Sequence, residues 1–244
     1  MKKVLITGAN RSIGFESAKQ LLQKGYYVFL GSRSLANGQK AVDTLKAAGF
    51  TNAEAIELDV TNALSVQNAR TTIGSKTDVL DVLINNAGIS GGFPQSYSTD
   101  VSIYKEAYDT NFFGVVQVTQ LFMDLLQASP QPRIVNVTSG LGSLTMHNDP
   151  HWKYYNVMAP VYNSSKAALN MYTIMLAKEL RDTAFKVNAV DPGFTATDFN
   201  HHTGTGTVED AAARLVKCAV LSEDGPTGTY FSDDNNPVTG ISLW

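Results

Sequence analysis

The chain has 244 residues, 43% of them hydrophobic, which suffices to bury the core of one large α/β domain. Lys and Arg number 19 against 22 Asp and Glu, and this net charge of −3 argues against a nucleic-acid partner, whose phosphates demand a basic excess. No apolar run is long enough to span a bilayer, Lys2-Lys3 precedes too short an apolar stretch for an export signal, and the lone Cys218 can form no intrachain disulfide. A cytoplasmic protein without a membrane partner is therefore expected.

Val4–Thr7 predicts the first strand, and Ile13, Ala18, Leu21 and Leu22 fall on one face of a following helix. Tyr27–Leu30 predicts a second strand, Leu35–Ala48 a helix closed by Gly49, and Ala55–Leu58 a third strand. A helix over Leu64–Ile73, started by Thr61-Asn62, leads to a fourth strand at Val79–Ile84. The long helical stretch Tyr104–Leu126 follows, then strand Arg133–Val137, helix Val161–Leu180, strand Lys186–Val190, helix Val208–Leu221 and strand Thr229–Phe231. Strands that are almost wholly apolar and alternate with helices imply a parallel sheet of seven strands covered on both faces. Such a sheet binds ligands beyond its strand carboxyl ends. Neither a repeat nor a linker divides residues 1–244, so a single dinucleotide-binding and catalytic domain is expected.

The first strand runs into Thr7-Gly8-Ala9-Asn10-Arg11-Ser12-Ile13-Gly14 and a helix, the setting in which backbone N–H groups and the helix dipole hold a pyrophosphate. Asp59-Val60 follows the third strand, Asn85-Asn86-Ala87-Gly88 the fourth, and Asn111-Phe112-Phe113-Gly114 lies in the long helix. Val137-Thr138-Ser139 ends the fifth strand, Tyr162-Asn163-Ser164-Ser165-Lys166 opens the next helix, and Pro192-Gly193 with Thr197 follows the sixth strand. In this order the segments resemble the short-chain dehydrogenase/reductase family over essentially the whole chain, with Ser12 where the family usually has a middle glycine. The resemblance leans towards the carbonyl-reductase-like branch and implies a Rossmann-type doubly wound fold.

Tyr162 and Lys166 stand four apart, so a helix puts both on one face, where an ammonium can lower the pKa of the phenol. The resemblance implies that Tyr162 donates a proton to a carbonyl oxygen and that Lys166 also bonds the nicotinamide ribose. It further implies that Ser139 holds the carbonyl oxygen and that Asn111 anchors a water of the proton relay. Cofactor binding is expected from Gly8, Asn10, Arg11, Ser12, Ile13, Gly14, Ser32, Arg33, Asp59, Val60, Asn86, Ala87 and Gly88, from Tyr162 and Lys166, and from Pro192, Gly193, Phe194, Thr195 and Thr197. Between Ser139 and Tyr162 lie 22 residues, read as lengthened by an insertion at His147–Val157 over the active site. Its His147, Trp152 and Tyr155, with Ser139 and Phe194, are expected to contact substrate, making 140–161 and 194–207 substrate loops, the latter a glycine-flanked lid around Gly204-Thr205-Gly206. No metal site is expected: Pro150 separates His147 from His151, and neither that pair nor His201-His202 has an evident third ligand.

An enzyme preferring NAD places a carboxylate at the end of the second strand, whereas Leu30-Gly31 is followed here by Ser32-Arg33. Arg33 and Arg11 suit a 2′-phosphate, so NADPH/NADP is the expected cofactor. The expected activity is NADPH-dependent carbonyl (keto) reductase or secondary alcohol dehydrogenase on a small ketone or alcohol, in a homodimer or homotetramer. Alternatives are a 3-oxoacyl-carrier-protein reductase, a non-catalytic dinucleotide sensor, or a structural subunit assembled through Leu169, Tyr172, Leu176 and Leu180.

Overall fold

A computed structural model describes residues 1–244. The strands are β1 (Lys3–Ile6), β2 (Tyr27–Ser32), β3 (Ala53–Glu57), β4 (Val82–Asn85), β5 (Arg133–Val137), β6 (Lys186–Val190) and β7 (Tyr230–Phe231). They form one wholly parallel seven-stranded sheet in the order β3-β2-β1-β4-β5-β6-β7. The order reverses between β1 and β4, whose register pairs Ile6 with Ile84, so the turns leaving these two strands diverge and open a crevice at the carboxyl edge. This is the doubly wound Rossmann-type sheet.

Helices α1 (Ser12–Gln23), α2 (Leu35–Ala47) and α8 (Val208–Ala219) cover one face. There Val4, Ile6, Val28 and Leu30 pack with Leu21, Leu45 and Leu215. On the opposite face, Leu5, Phe29 and Leu83 pack with Val66 and Ile73 of α3 (Ala63–Gly74), Val118 of α5 (Gly114–Leu121) and Leu176 of α7 (Pro160–Glu179). Successive strand residues serve opposite faces, which is why the strands read as unbroken apolar runs. The stripe Leu169, Tyr172, Leu176 and Leu180 proves to be an inward face of α7: Leu169 and Leu176 are buried, and Tyr172 and Leu180 pack on the second cluster. No helix is long and apolar enough to cross a membrane.

The structure departs from the sequence reading in two stretches. β4 begins at Val82 because the amide of Leu80 is taken by Leu125 O at 3.0 Å and Asp81 turns its carboxylate to the Lys3 amide and the Ser129 hydroxyl. The long helix is four pieces: α4 (Val101–Tyr108), a π-helical turn Asp109–Phe113, α5, and a short α6 (Met123–Gln127) after the fully buried Phe122. A continuous α-helix keeps its residues on a 3.6 period, and the extra residue of a π turn re-aims whatever sits in it. The residue so re-aimed is Asn111.

Candidate active site

The dinucleotide end of the crevice is built from backbone. Gly8 has φ +63° and a Cβ there would approach Ala87 Cα to 3.1 Å, so glycine meets both a backbone and a packing demand. The Thr7 hydroxyl accepts from the amides of Asn86 and Ala87, and the Asn86 amide group donates to the carbonyls of Thr7 at 2.9 Å and Gly8 at 3.1 Å. These bonds brace the first turn on the loop leaving β4. A Cβ on Gly14 would lie 2.6 Å from Asn86 Nδ2, so this contact depends on glycine as well. Arg11 occupies the N-cap of α1 without a side-chain cap, and the first turn carries no acid. The amides of Ser12, Ile13 and Gly14 are thus available at the positive end of α1, facing the cleft. Ser12 takes the family's glycine position with φ +49°, the left-handed conformation that glycine supplies without strain.

At the end of β2, Ser32 is buried and donates to Ser34 O at 3.0 Å, whereas Arg33 is exposed and forms no ion pair. Arg11 is shared: its guanidinium stands 3.4 Å from Asp198, across the cleft, and His202 Nε2 lies 3.1 Å from the same carboxylate. Asp59 fixes its own turn, accepting from the Thr61 amide at 3.0 Å.

The catalytic end joins β5, the π turn and α7. Asn111 is fully buried; it accepts from the Ile89 amide and donates to Ile89 O and Ser165 Oγ, each at 2.9 Å. It thereby ties the β4 loop to α7. Pro160 starts α7 at its first turn, and Tyr162 and Lys166 lie on one face, the ammonium 5.6 Å from the ring centre. Lys166 Nζ is directed at Val137 O, 2.8 Å away, and burial pushes its pKa down to about 8. Tyr162 departs from the expectation that the lysine lowers its pKa. Burial first, and the carboxylate of Asp191 second, push the phenol well above its ordinary value, while the Ser139 hydroxyl draws it part of the way back. Ser139 Oγ also accepts from the Leu141 amide at 3.2 Å, and its carbonyl accepts from the Tyr230 hydroxyl.

One cleft of about 1040 Å³ is lined by every residue expected to bind cofactor, from Gly8 to Thr197, and by Ser139, Tyr162 and Lys166. That is at the upper limit of pockets for drug-sized ligands, which suits an elongated dinucleotide with a second small molecule. A sequence model of the family described as short chain dehydrogenase matches residues 2–207. The chain belongs to this family.

Curated relatives of this short-chain dehydrogenase include (+)-neomenthol dehydrogenase of Capsicum annuum, 31% identical over 93% of the chain and 94% of that protein. Salutaridine reductase of Papaver bracteatum is 30% identical over 95% and 94%. Among solved structures, the NADPH-bound carbonyl reductase from chicken fatty liver superposes with a TM-score of 0.85 at 28% identity, covering 100% of this chain and 99% of the other. The protein is thus an oxidoreductase of carbonyl or alcohol groups in small molecules, working with a nicotinamide cofactor. The alignment with the neomenthol dehydrogenase runs over 297 positions, more than the 244 residues of this chain, so that relative carries sequence this dehydrogenase lacks.

Residues expected to touch substrate are divided by the structure. Ser139 and Phe194 line the cleft of the dehydrogenase, but His147, Trp152 and Tyr155 do not. Trp152 is buried, with its indole N–H donated to Asn235 Oδ1 at 3.2 Å and its ring edge-on to His147 at 4.9 Å. His147 is held by Leu141 O, 3.0 Å from Nε2, and Tyr155 faces outward. Residues 147–157 instead offer Tyr154 and Val157 to the cleft, and Ala159 just after them lines it too. Aromatic content alone carries no signal for which ring faces inward. Gly204 and Gly206 are pinned: the amides of Thr205 and Gly206 both donate to Phe194 O at 2.9 Å, and a Cβ on Gly204 would overlap Thr195. At Gly204 the demand for glycine is close packing, whereas a Cβ on Gly206 would meet only ordinary contacts. The sequence reading missed Asp191 and Asp234, two carboxylates in the lining. Asp191 adjoins the Pro192-Gly193 pair already singled out, so its position in the chain was the available signal.

Proposed function

We propose that the protein is an NADPH-dependent carbonyl reductase that interconverts ketones and secondary alcohols. The observation that carries this reading is the convergence of Tyr162, Ser139 and Lys166 on the cleft that also receives the uncapped N-terminus of α1. The α1 amides would hold the cofactor's pyrophosphate, Lys166 its nicotinamide ribose, and Arg33 with Arg11 its 2′-phosphate. Bound NADPH supplies the hydride for the carbonyl carbon. Tyr162, whose phenol keeps its proton through neutral pH, donates that proton to the carbonyl oxygen, and the Ser139 hydroxyl hydrogen-bonds the same oxygen. Asn111, through Ile89 and Ser165, holds the β4 loop and α7 in mutual position.

The lack of an acid after β2 and the unpaired Arg33 support NADPH over NADH, as does the likeness to a carbonyl reductase that binds NADPH. Residues 1–244 act as one catalytic domain, with 140–161 and 194–207 as substrate loops. Exposed Met171 and Met175 on α7 support assembly with further copies of the chain, which light scattering reads directly. The buried Cys218 agrees with action in the reducing cytoplasm. The test is a panel of ketones with NADPH or NADH, followed by loss of reduced-cofactor absorbance. No turnover of any ketone with either cofactor would refute the assignment.

A further inference from the structure

The segments that wall the catalytic end meet on one turn directly after β7, Ser232-Asp233-Asp234-Asn235, which lies beyond the residues 2–207 matched by the family model. Asp234 Oδ2 accepts from the Tyr154 hydroxyl at 2.8 Å and the Phe194 amide at 3.3 Å, with the Lys153 ammonium at 3.4 Å. Its other oxygen faces Arg214 at 3.9 Å, and Arg214 donates in turn to Pro192 O at 2.7 Å. Beside it, Asn235 accepts from the Trp152 indole and donates to Gly140 O at 3.3 Å, while Ser232 donates to Asp191 at 2.6 Å. Residues 147–157, the loop after Ser139 and the segment after β6 are therefore anchored on the side chains of Ser232, Asp234 and Asn235.

We propose that Asp234 is a positioning residue that sets the substrate-side wall of the cleft and so selects ketones by ring size. This rests on the ketone-reductase reading above. Tyr154 and Phe194 both line the cleft, come from different substrate loops, and share one carboxylate oxygen. Moving either moves the wall, because Phe194 and Phe199 are otherwise exposed and Phe199 stands 5.5 Å, centre to centre, from the Tyr162 ring. Partial burial raises the pKa of Asp234, but the Tyr154 hydroxyl, then the Lys153 ammonium, the Phe194 amide and Arg214 together hold it below its ordinary value, so the acceptor is a carboxylate at neutral pH. Charge-assisted bonds of this kind fix geometry more firmly than neutral ones, and a small error in a wall is felt by a large substrate before a small one.

The experiment compares wild type with Asp234→Asn, Tyr154→Phe, the double variant and Asp234→Glu, using cyclohexanone and the bicyclic 2-decalone with NADPH. In Asp234→Asn, KM for 2-decalone rises about tenfold, the change that loss of one charge-assisted hydrogen bond gives, while kcat falls far less. The shift for cyclohexanone is much smaller, and the Kd of NADPH, read by its fluorescence, holds. Tyr154→Phe reproduces most of the change, the double variant adds little to either single one, and Asp234→Glu restores most of the size preference. Hydrogen exchange in Asp234→Asn accelerates over both 147–157 and 193–197. Unchanged exchange in both segments overturns the proposal, as does an equal loss for the two ketones or a matching loss of NADPH affinity. Should Asp234→Asn fail to fold, Tyr154→Phe removes a single hydroxyl and decides the same points. A wild type that turns over neither ketone counts against the reductase reading, and exchange still decides whether Asp234 docks the two loops.

Discussion

Lys166 is a cation held in the protein interior, and its cost to the fold can be measured apart from catalysis. Burial brings its pKa down to about 8 from 10.5, and at about 1.4 kcal/mol per tenfold this means about 3 kcal/mol spent on keeping the ammonium charged in the fold at neutral pH. Lys166→Met keeps the length and apolar stem, removes that penalty, and leaves Val137 O without its 2.8 Å partner, a loss of about 1–3 kcal/mol. The two effects nearly cancel, so the variant should be about as stable as wild type near pH 7 while losing reductase activity. Between the folded and unfolded pKa values the unfolded chain binds more protons, so the stability of wild type relative to the variant must rise with pH. Near pH 9.5 about 2 of the 3 kcal/mol should be recovered. Urea unfolding of both proteins near pH 7 and pH 9.5 gives the difference, in which every other titrating group cancels. A wild-type-minus-variant difference that stays flat, or falls, would refute the account of Lys166 as a buried cation.

Tyr162→Phe should keep NADPH binding and lower turnover by about 10²–10⁴, and near wild-type turnover would remove the proton-donor role. Arg33→Ala should weaken NADPH by about tenfold or more and NADH little, whereas Ser32→Asp should repel the 2′-phosphate and shift kcat/KM towards NADH. A wild type that uses NADH as well as NADPH would contradict both expectations. Ser12→Gly relieves a left-handed residue at φ +49° and should raise Tm by about 2 °C, with NADPH affinity within about twofold if the backbone amide is the anchor; a lower Tm would show that the Ser12 side chain earns its place.

The alternating pattern of apolar strands and amphipathic helices was enough to read the fold, because two-sided burial demands it: Leu5 and Ile6 serve opposite cores and neither can be polar. Likewise Gly8, with its positive φ, and Gly14, where a Cβ would lie 2.7 Å from Gly8 O, mark backbone positions that call for glycine. What stayed hidden depends on long-range partners. The π turn at Asp109–Phe113 has no composition of its own and shows itself only through the bonds of Asn111 to Ile89 and Ser165. Trp152 and Tyr154 look alike as aromatic residues of one loop, yet Asn235 draws the first into the interior and Asp234 holds the second at the cleft. Nor does the four-residue spacing of Tyr162 and Lys166 reveal that Val137 O claims the ammonium.

The protonation of Tyr162 bears on the direction of reaction. Burial and the Asp191 carboxylate raise the pKa of the Tyr162 phenol and outweigh the Ser139 hydroxyl, so the phenol keeps its proton above its ordinary pKa. A protonated Tyr162 is ready to donate to a ketone oxygen at neutral pH, whereas alcohol oxidation needs a group that accepts the hydroxyl proton. Reduction should therefore run on a plateau through neutral pH, and oxidation by the same enzyme should climb with pH. Asp191→Asn removes the opposing charge, while its amide oxygen can still accept from the Gly193 amide and its NH2 can donate to the Ser232 hydroxyl oxygen once that hydroxyl turns. The phenolate is then less disfavoured, and the oxidation profile should move to lower pH with little change in reduction near pH 7. Initial rates in both directions across the pH range, for wild type and variant, decide it: an oxidation profile that stays in place, or moves to higher pH, would mean that Asp191 does not set the acidity of Tyr162.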